Sequence, residues 1–151
     1  MTSRLAVDTA LGRFTIEGDD AITALHWGGR SEGAATETLE RAAAQLIEYA
    51  EGARQEFDLP LAPDGGPLQQ AVLAQMRAIP FGETRTYGEI AKAVGAPPQA
   101  VGQACGANTI PVIIPCHRVT GTGGLGGFSG RGGVETKVQL LRHEGAYSLL
   151  I

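Results

Sequence analysis

An α+β fold is what this chain predicts: a small sheet-plus-helix unit followed by a mostly helical one. Three observations carry that expectation. Strand-like runs fall mainly in the first 30 or so residues, with one further short candidate around Leu59. From Leu39 onward, apolar residues recur mostly at helical spacing. Between the two regimes lies Ala62-Pro63-Asp64-Gly65-Gly66-Pro67, which has turn residues and no apolar periodicity. A length of 151 residues suits one medium domain or two small ones, and an apolar fraction of 43% is ordinary for a folded chain and excludes disorder as the default. The expected division is residues 1–62, a linker at 63–67, and residues 68–151.

Leu5–Val7, Arg13–Glu17 and Ile22–Trp27 read as strands, separated by the turn residues Leu11-Gly12 and Gly18-Asp19-Asp20. Leu39, Ala42, Ala43, Leu46, Ile47 and Ala50 then form a helical stripe, and Gly52 suits the C-terminal cap. Phe57, Leu59 and Leu61 alternate with polar or proline residues and read as an edge strand. Pro67 opens the next helix, whose stripe is Leu68, Val72, Met76 and Ile79, and Pro80 stops it.

Thr86-Tyr87-Gly88-Glu89 matches a capping box, in which Thr and Glu side chains satisfy exposed backbone donors. The helix it opens carries Ile90, Ala91 and Val94. Gly95-Ala96-Pro97 breaks it, and a second short helix follows over Pro98–Gly106. Helix, tight glycine turn, helix is the helix-turn-helix pattern, although many ordinary helical pairs share it. Pro111-Val112-Ile113-Ile114-Pro115 is too short for a helix and reads as a buried extended piece. The glycine-rich stretch Gly121–Gly133 is a loop by composition, with no Gly-Lys-Ser/Thr to make it a phosphate loop. A last helix, Val134–Glu144, puts Val138 and Leu141 on one face, with Gly145 as its cap.

The net charge is −4, which on its face disfavours a polyanionic partner. The charge is unevenly spread. Residues 1–66 hold five Lys/Arg against twelve Asp/Glu, whereas residues 67–151 hold seven against four. A basic half beside an acidic one is a hint of nucleic acid. No apolar run approaches the roughly 18–20 residues that span a bilayer, and residues 1–10 do not read as a signal peptide, so the expected compartment is the cytoplasm. The two cysteines, Cys105 and Cys116, are no disulfide framework, and with His26, His117 and His143 they give no metal-ligand spacing. No metal and no cofactor are expected.

Cys116 follows a buried apolar run and precedes His117 and Arg118. A thiol attacks as thiolate, and a neighbouring base or cation favours that form. His117 can take the proton, directly or through a water, and Glu144 is the best candidate to orient the histidine, the logic of a Cys-His-acid triad. The competing reading is that Cys116 is a small buried hydrophobe, as most free cysteines are.

Ile114-Pro115-Cys116-His117-Arg118-Val119 resembles the Pro-Cys-His-Arg-Val active-site motif of O6-alkylguanine-DNA alkyltransferases. The resemblance runs in ordered blocks from Gly66 to Gly145. Ile79-Pro80-Phe81-Gly82-Glu83-Thr84 and Tyr87-Gly88-Glu89-Ile90-Ala91 resemble the approach to the family's helix-turn-helix. Ala100-Val101-Gly102 and Asn108 sit where it has its recognition helix and asparagine. Gly126-Gly127-Phe128-Ser129-Gly130 resembles its pocket loop, and Lys137, Leu140-Leu141 and His143-Glu144-Gly145 its final helix. The resemblance implies an RNase H-like N-terminal domain and a winged helix-turn-helix-like alkyltransferase domain. It implies single-use, irreversible transfer of an alkyl group from O6-alkylguanine in double-stranded DNA, with O4-alkylthymine as a second candidate substrate, by a monomer.

The roles it implies follow residue by residue. Cys116 is the alkyl acceptor, His117 the base and Glu144 the acid behind it. Asn108 is the hinge that ties the helix-turn-helix to the active-site turn. Tyr87 helps rotate the nucleotide and donates a proton toward guanine N3. Gln99, Ala100, Gly102, Arg118, Val119, Phe128 and Ser129 are substrate or DNA contacts, and Cys105 is packing. Two departures stand out. Gln99 occupies the place of the family's intercalating arginine, and the stretch from Gly95 to Val101 is about two residues short. Phe128 stands where many relatives have tyrosine, and residues 1–66 lack the zinc-binding cysteines of some relatives. The alternatives are a lesion-binding relative without efficient transfer, a small cysteine hydrolase, and a helix-turn-helix transcription regulator.

Overall fold

The computed structural model describes residues 2–126 and 133–147. It divides into two compact units, residues 1–63 and 64–151. The fold is α+β. Among the described residues no helix is long and apolar enough to cross a membrane.

The first unit is an antiparallel meander, β1 (Ser3–Thr9), β2 (Gly12–Gly18) and β3 (Ile22–Trp27), in that order in the sheet. Gly12 takes φ 111 to leave the first tight turn, a conformation that L side chains rarely adopt. The register slips between Glu17 and Gly18, where a Cβ would meet the Ala21 carbonyl oxygen at 2.2 Å. Helix α1 (Glu37–Ala50) packs on β1 and β2. Thr36 caps it by accepting the Leu39 N–H, and Leu39, Ala42, Leu46 and Tyr49 close over Phe14, Ile16 and Leu25 as one apolar core. Phe57, Leu59 and Leu61 do not form the expected edge strand. Leu61 makes a single parallel bridge to Ile22, flanked by two backbone bonds, because Pro60 and Pro63 have no N–H to extend the ladder.

The second unit builds on α2 (Pro67–Arg77), which packs against α3 (Tyr87–Val94) and α4 (Pro98–Gly106). Its buried stripe is Val72, Leu73, Met76 and Ile79, and Leu68 is 44% exposed. The face centres on Met76 and Gln69, which turns Leu68 to its edge, and Gln69 Nε2 donates to the Ala104 carbonyl. The capping box at Thr86 forms as the sequence predicts: Thr86 Oγ1 accepts from Glu89 N–H, and Glu89 Oε1 accepts from Thr86 N–H. Gly95, left-handed at φ 72, ends α3, and Pro97 and Pro98 start α4 three residues later.

Residues 111–115 are buried but not extended. Ile114 N–H donates to the Ile110 carbonyl and Val112 takes φ 72, so the segment is a tight turn. Periodicity reports burial and not conformation in so short a run. A 3-10 turn, Cys116–Arg118, and the two-residue strand β5 (Val119–Thr120) follow, and β5 pairs in parallel with β4 (Arg85–Thr86). Residues Gly121 to Gly124 close a small bridge. The final helix, α5 (Val134–His143), buries Lys137, Leu140 and Leu141, while Val138 is only half-buried. Gly145 follows it with φ 75.

Loss of the α3 cap should be felt as helix stability. Thr86→Ala is expected to cost about 1 kcal/mol and to lower the melting temperature by roughly 2–4 °C, checked by calorimetry.

Candidate active site

The turn before Cys116 is held from one side chain. Asn108 Oδ1 accepts the Ile110 N–H at 3.0 Å, and its Nδ2 donates to the Ile114 carbonyl at 2.9 Å, so the amide spans both ends of the turn. Asn108 itself follows α4 directly, with its N–H bonded to the Cys105 carbonyl. The position of Cys116 is therefore tied to the second helix of the helix pair. Pro115 hands the chain to the 3-10 turn, in which Cys116 N–H donates to the Ile114 carbonyl at 2.8 Å. Cys116 is 6% exposed.

Behind the thiol lies a buried ionic cluster. His117 Nε2 is 2.7 Å from Glu144 Oε2. Arg118 grips the same carboxylate with Nε on Oε1 at 2.7 Å and Nη2 on Oε2 at 3.0 Å, and its Nη1 donates to the Ile79 carbonyl at 2.6 Å. All three side chains are buried. An ionised carboxylate beside Nε2 assigns the N–H to that nitrogen, which leaves Nδ1 as the basic one. Nδ1 is buried and has no hydrogen-bond partner.

The titration directions suit proton abstraction. Burial raises the Glu144 pKa, but hydrogen bonds and charge from His117 and Arg118 outweigh it and hold the group at about 2. Burial lowers the His117 pKa against the pull of Glu144, and the charges of Arg118 and Lys137 lower it further, so the imidazole rests neutral. Burial raises the Cys116 pKa, opposed by a hydrogen bond from Asn108, the charge of Lys137 and the backbone N–H groups of Cys116 and His117. Burial, with the two cysteines, lifts the Tyr87 phenol to about 12, so it keeps its proton to donate. A neutral base oriented by a carboxylate beside a protonated thiol is an arrangement for generating a thiolate on demand. Among the described residues no group of three or more His, Cys, Asp or Glu could hold a metal ion.

The family model for the 6-O-methylguanine DNA methyltransferase DNA-binding domain matches residues 67–146. The chain belongs to this methyltransferase family. A methylated-DNA–protein-cysteine methyltransferase from Methanosarcina acetivorans is 45% identical over 113 residues, 73% of this chain and 71% of the relative. One from Mycolicibacterium paratuberculosis is 39% identical over 94% of this chain and 92% of its own length. The crystal structure of Mycobacterium tuberculosis O6-methylguanine methyltransferase superposes with a TM-score of 0.83 at 36% identity, covering 97% of this chain and 94% of that one.

The family's motif residues fall as follows. His117 and Glu144 pair, Cys116 precedes His117 in the same 3-10 turn, and Asn108 braces the turn before it. Tyr87, at the start of α3, is half-buried, and a Cβ on Gly126 would come within 2.8 Å of its ring. Gln99 is exposed on the first turn of α4, with Ala100 and Gly102 half-buried behind it. Arg118, expected at the substrate or DNA, is 6% exposed and bonds inward to Glu144 and Ile79. Val119 is fully buried, and its carbonyl accepts from Lys137. Phe128 and Ser129 lie outside the described residues.

Two participants had no role assigned from sequence, Arg118 as the clamp on Glu144 and Lys137. A signal for both existed. Lys137, Leu140, Leu141 and Glu144 are spaced i, i+3, i+4, i+7, one face of α5, and a charge at each end of an otherwise apolar face means that charge is buried.

Acid should weaken the fold in two stages. His117, held neutral in the fold, costs stability as pH falls below about 6.5, where the unfolded chain gains its proton. Glu144, held at about 2 against 4.5 unfolded, contributes stability above pH 4.5 that is lost as pH falls toward 2. That second stage is on the order of 3 kcal/mol. In urea unfolding followed against pH, Glu144→Gln should abolish the second stage and cost about 3–5 kcal/mol at pH 7, because it strands Arg118.

Proposed function

We propose that this chain repairs DNA by moving the alkyl group of O6-alkylguanine onto Cys116, once and irreversibly. The observation that carries the assignment to Cys116 is the buried Glu144–His117 pair, with His117 next to Cys116 in the chain and its Nδ1 buried without a hydrogen-bond partner. His117 Nδ1 takes the thiol proton, directly or through a water, and Glu144 stabilises the imidazolium that forms. The thiolate attacks the alkyl carbon in line, the carbon–O6 bond breaks, and the Tyr87 phenol supplies a proton toward guanine N3. The balance is thiol plus O6-alkylguanine to thioether plus guanine. A thioether carries no good leaving group, so the protein is consumed stoichiometrically.

The partner is double-stranded DNA, and a solved structure of the M. tuberculosis protein in complex with DNA superposes on this chain with a TM-score of 0.82 at 36% identity. An O6 atom inside a duplex is out of reach of a buried thiol, so the nucleotide is rotated out of the stack. Residues 68–151 supply DNA binding and transfer, and residues 1–62 form a separate N-terminal domain. The α3–α4 pair, joined at Gly95, with the β4–β5 pair beside it, supports a winged helix-turn-helix reading. Three antiparallel strands followed by a helix are the order in which an RNase H-like fold begins. Helix α4 has no acidic residue in its first turn, so its positive dipole end is not opposed by a carboxylate there.

Incubation with a duplex carrying O6-methylguanine should add one methyl mass, mapped to the peptide holding Cys116. Cys116→Ala should abolish the transfer, and Cys105→Ser should largely keep it. A methyl group on Cys105 would overturn the assignment.

Gln99 takes the place of an arginine finger with a shorter, neutral amide that still donates and accepts. Gln99→Arg should raise the repair rate in duplex DNA more than on the free base, where no stack has to be opened. Unchanged duplex repair by Gln99→Ala would assign the finger to another residue.

A further inference from the structure

Phe81 takes no part in the reaction set out above, yet it covers the cation that keeps Glu144 ionised. The Arg118 guanidinium lies over the Phe81 ring, 5.9 Å from its centre. The same ring meets His143 edge to face, with centres 6.4 Å apart. Its place is set by a tight turn. Glu83 N–H donates to the Pro80 carbonyl at 3.1 Å, and Gly82 takes φ 85 within that turn. The segment closes on the ionic cluster at two further points. The Ile79 carbonyl, just ahead of the turn, accepts from Arg118 Nη1 at 2.6 Å, and a Cβ on Gly82 would lie 3.3 Å from the Glu144 carbonyl oxygen. Phe81 and Gly82 are half-buried and Glu83 is exposed, whereas Arg118 is 6% and Glu144 4% exposed. The turn therefore borders the Arg118–Glu144 pair on its solvent side.

A guanidinium offers all its N–H donors in one plane. Arg118 points Nε and Nη2 at Glu144 and Nη1 at the Ile79 carbonyl, so its strong bonds lie in that plane. An aromatic ring attracts the cation without competing for a donor, and it excludes water that would compete. An aliphatic side chain on the turn would exclude water but would not attract the charge. The effect reaches His117 through the shared carboxylate. Burial holds the imidazole below its usual range, Glu144 pulls the other way, and the charges of Arg118 and Lys137 lower it again. The charged and titratable side chains bearing on His117 are Glu144 and Lys137 from the α5 segment and Arg118 from the 3-10 turn, with Cys116 next to it in the chain. His143 bears on Phe81 from the last turn of α5.

We propose that Phe81 is a positioning residue that seats Arg118 on Glu144, and that this seat keeps His117 available as the base at neutral pH. Removing the ring lets water reach the guanidinium and draw it from the carboxylate. Arg118 then opposes the imidazolium less, the cluster is less well buried, and His117 holds a proton in a range where the native imidazole is free to take one. The inference rests on His117 being the base for Cys116, and one arm of its test needs no DNA.

Phe81→Ala removes the ring, Phe81→Leu keeps an apolar cover without an aromatic face, and Phe81→Tyr keeps the ring. Circular dichroism establishes folding of each. The His117 midpoint is followed by 13Cε1-histidine NMR, beside single-turnover methyl transfer from a duplex carrying O6-methylguanine. Phe81→Ala should raise the His117 midpoint by about half a unit to one unit, Phe81→Leu should raise it by less, and Phe81→Tyr should leave it at the native value. Transfer by Phe81→Ala should fall about two- to threefold at pH 6, as the share of neutral imidazole falls, and should match native protein at pH 8. The shift should persist in a His143→Gln background, which removes the titrating ring in contact with Phe81. An unmoved His117 midpoint in folded Phe81→Ala would overturn the proposal, and so would a rate lowered equally at both pH values, which is what lost packing alone would give. Disappearance of the shift in the His143→Gln background would overturn it too. Should Phe81→Ala not fold, Phe81→Leu decides, and an unmoved midpoint there refutes the role of the ring. If native protein takes up no methyl from DNA, the assignment of Cys116 and its base fails instead, while the midpoint arm still decides whether Phe81 holds the clamp.

Discussion

Everything at the centre of the second unit depends on one carboxylate serving two donors, a guanidinium and a neutral imidazole. Glu144 offers one oxygen to Arg118 and shares the other between Arg118 and His117. A buried carboxylate with a single neutral partner would be protonated and would orient nothing. With Arg118 in place it remains ionised, fixes the histidine tautomer, and still leaves the imidazole neutral. Arg118 also reaches the Ile79 carbonyl beyond the end of α2, so the cluster fastens the final helix, the 3-10 turn and the first helix of the unit at one point. The same contacts that set the chemistry hold the packing, and no member can be altered for one purpose alone.

A second constraint acts through the backbone. Asn108 stands at the end of α4 and bonds both ends of the turn that precedes Cys116. Helix α4 and Cys116 are thus separated by one side chain and one short turn. Val112 at φ 72, a β-branched residue in left-handed backbone, shows how tightly that turn is specified by its surroundings. Pro111 and Pro115 restrict the alternatives on either side, which is why five buried residues can make a turn where a strand was the simpler expectation.

Legibility of the sequence varied with the kind of signal. The meander, α1, the α3 cap and the α3–α4 break were readable because each is announced locally, by alternation, by helical spacing, by Thr86 with Glu89, and by Gly95. The motif around Cys116 and the order of the blocks singled out His117 and Glu144, and the two side chains meet in the structure. What could not be read was direction. Arg118, adjacent to a nucleophile, suggested an outward contact, yet it turns inward because a buried carboxylate from a distant helix needs it. Lys137 was hidden for the converse reason: a lysine in an amphipathic helix is normally solvated, and only its place between Leu140, Leu141 and Glu144 marks it as interior. Leu59 and Leu61 misled because alternation registers side chains, whereas strands need backbone donors that Pro60 and Pro63 lack.

The near-complete enclosure of Cys116 also bears on the lifetime of the protein before it meets damage. A sulfur that can be used once is lost to repair by any stray electrophile or peroxide that reaches it. In the resting state burial keeps it a neutral thiol, the form least reactive to soluble reagents, and the groups that would ionise it stand ready without doing so. Reactivity is thereby made conditional on a substrate delivered into the interior. Each copy can wait in the cell as an unspent reagent, and the number of lesions a cell can reverse is set by how many copies are still intact.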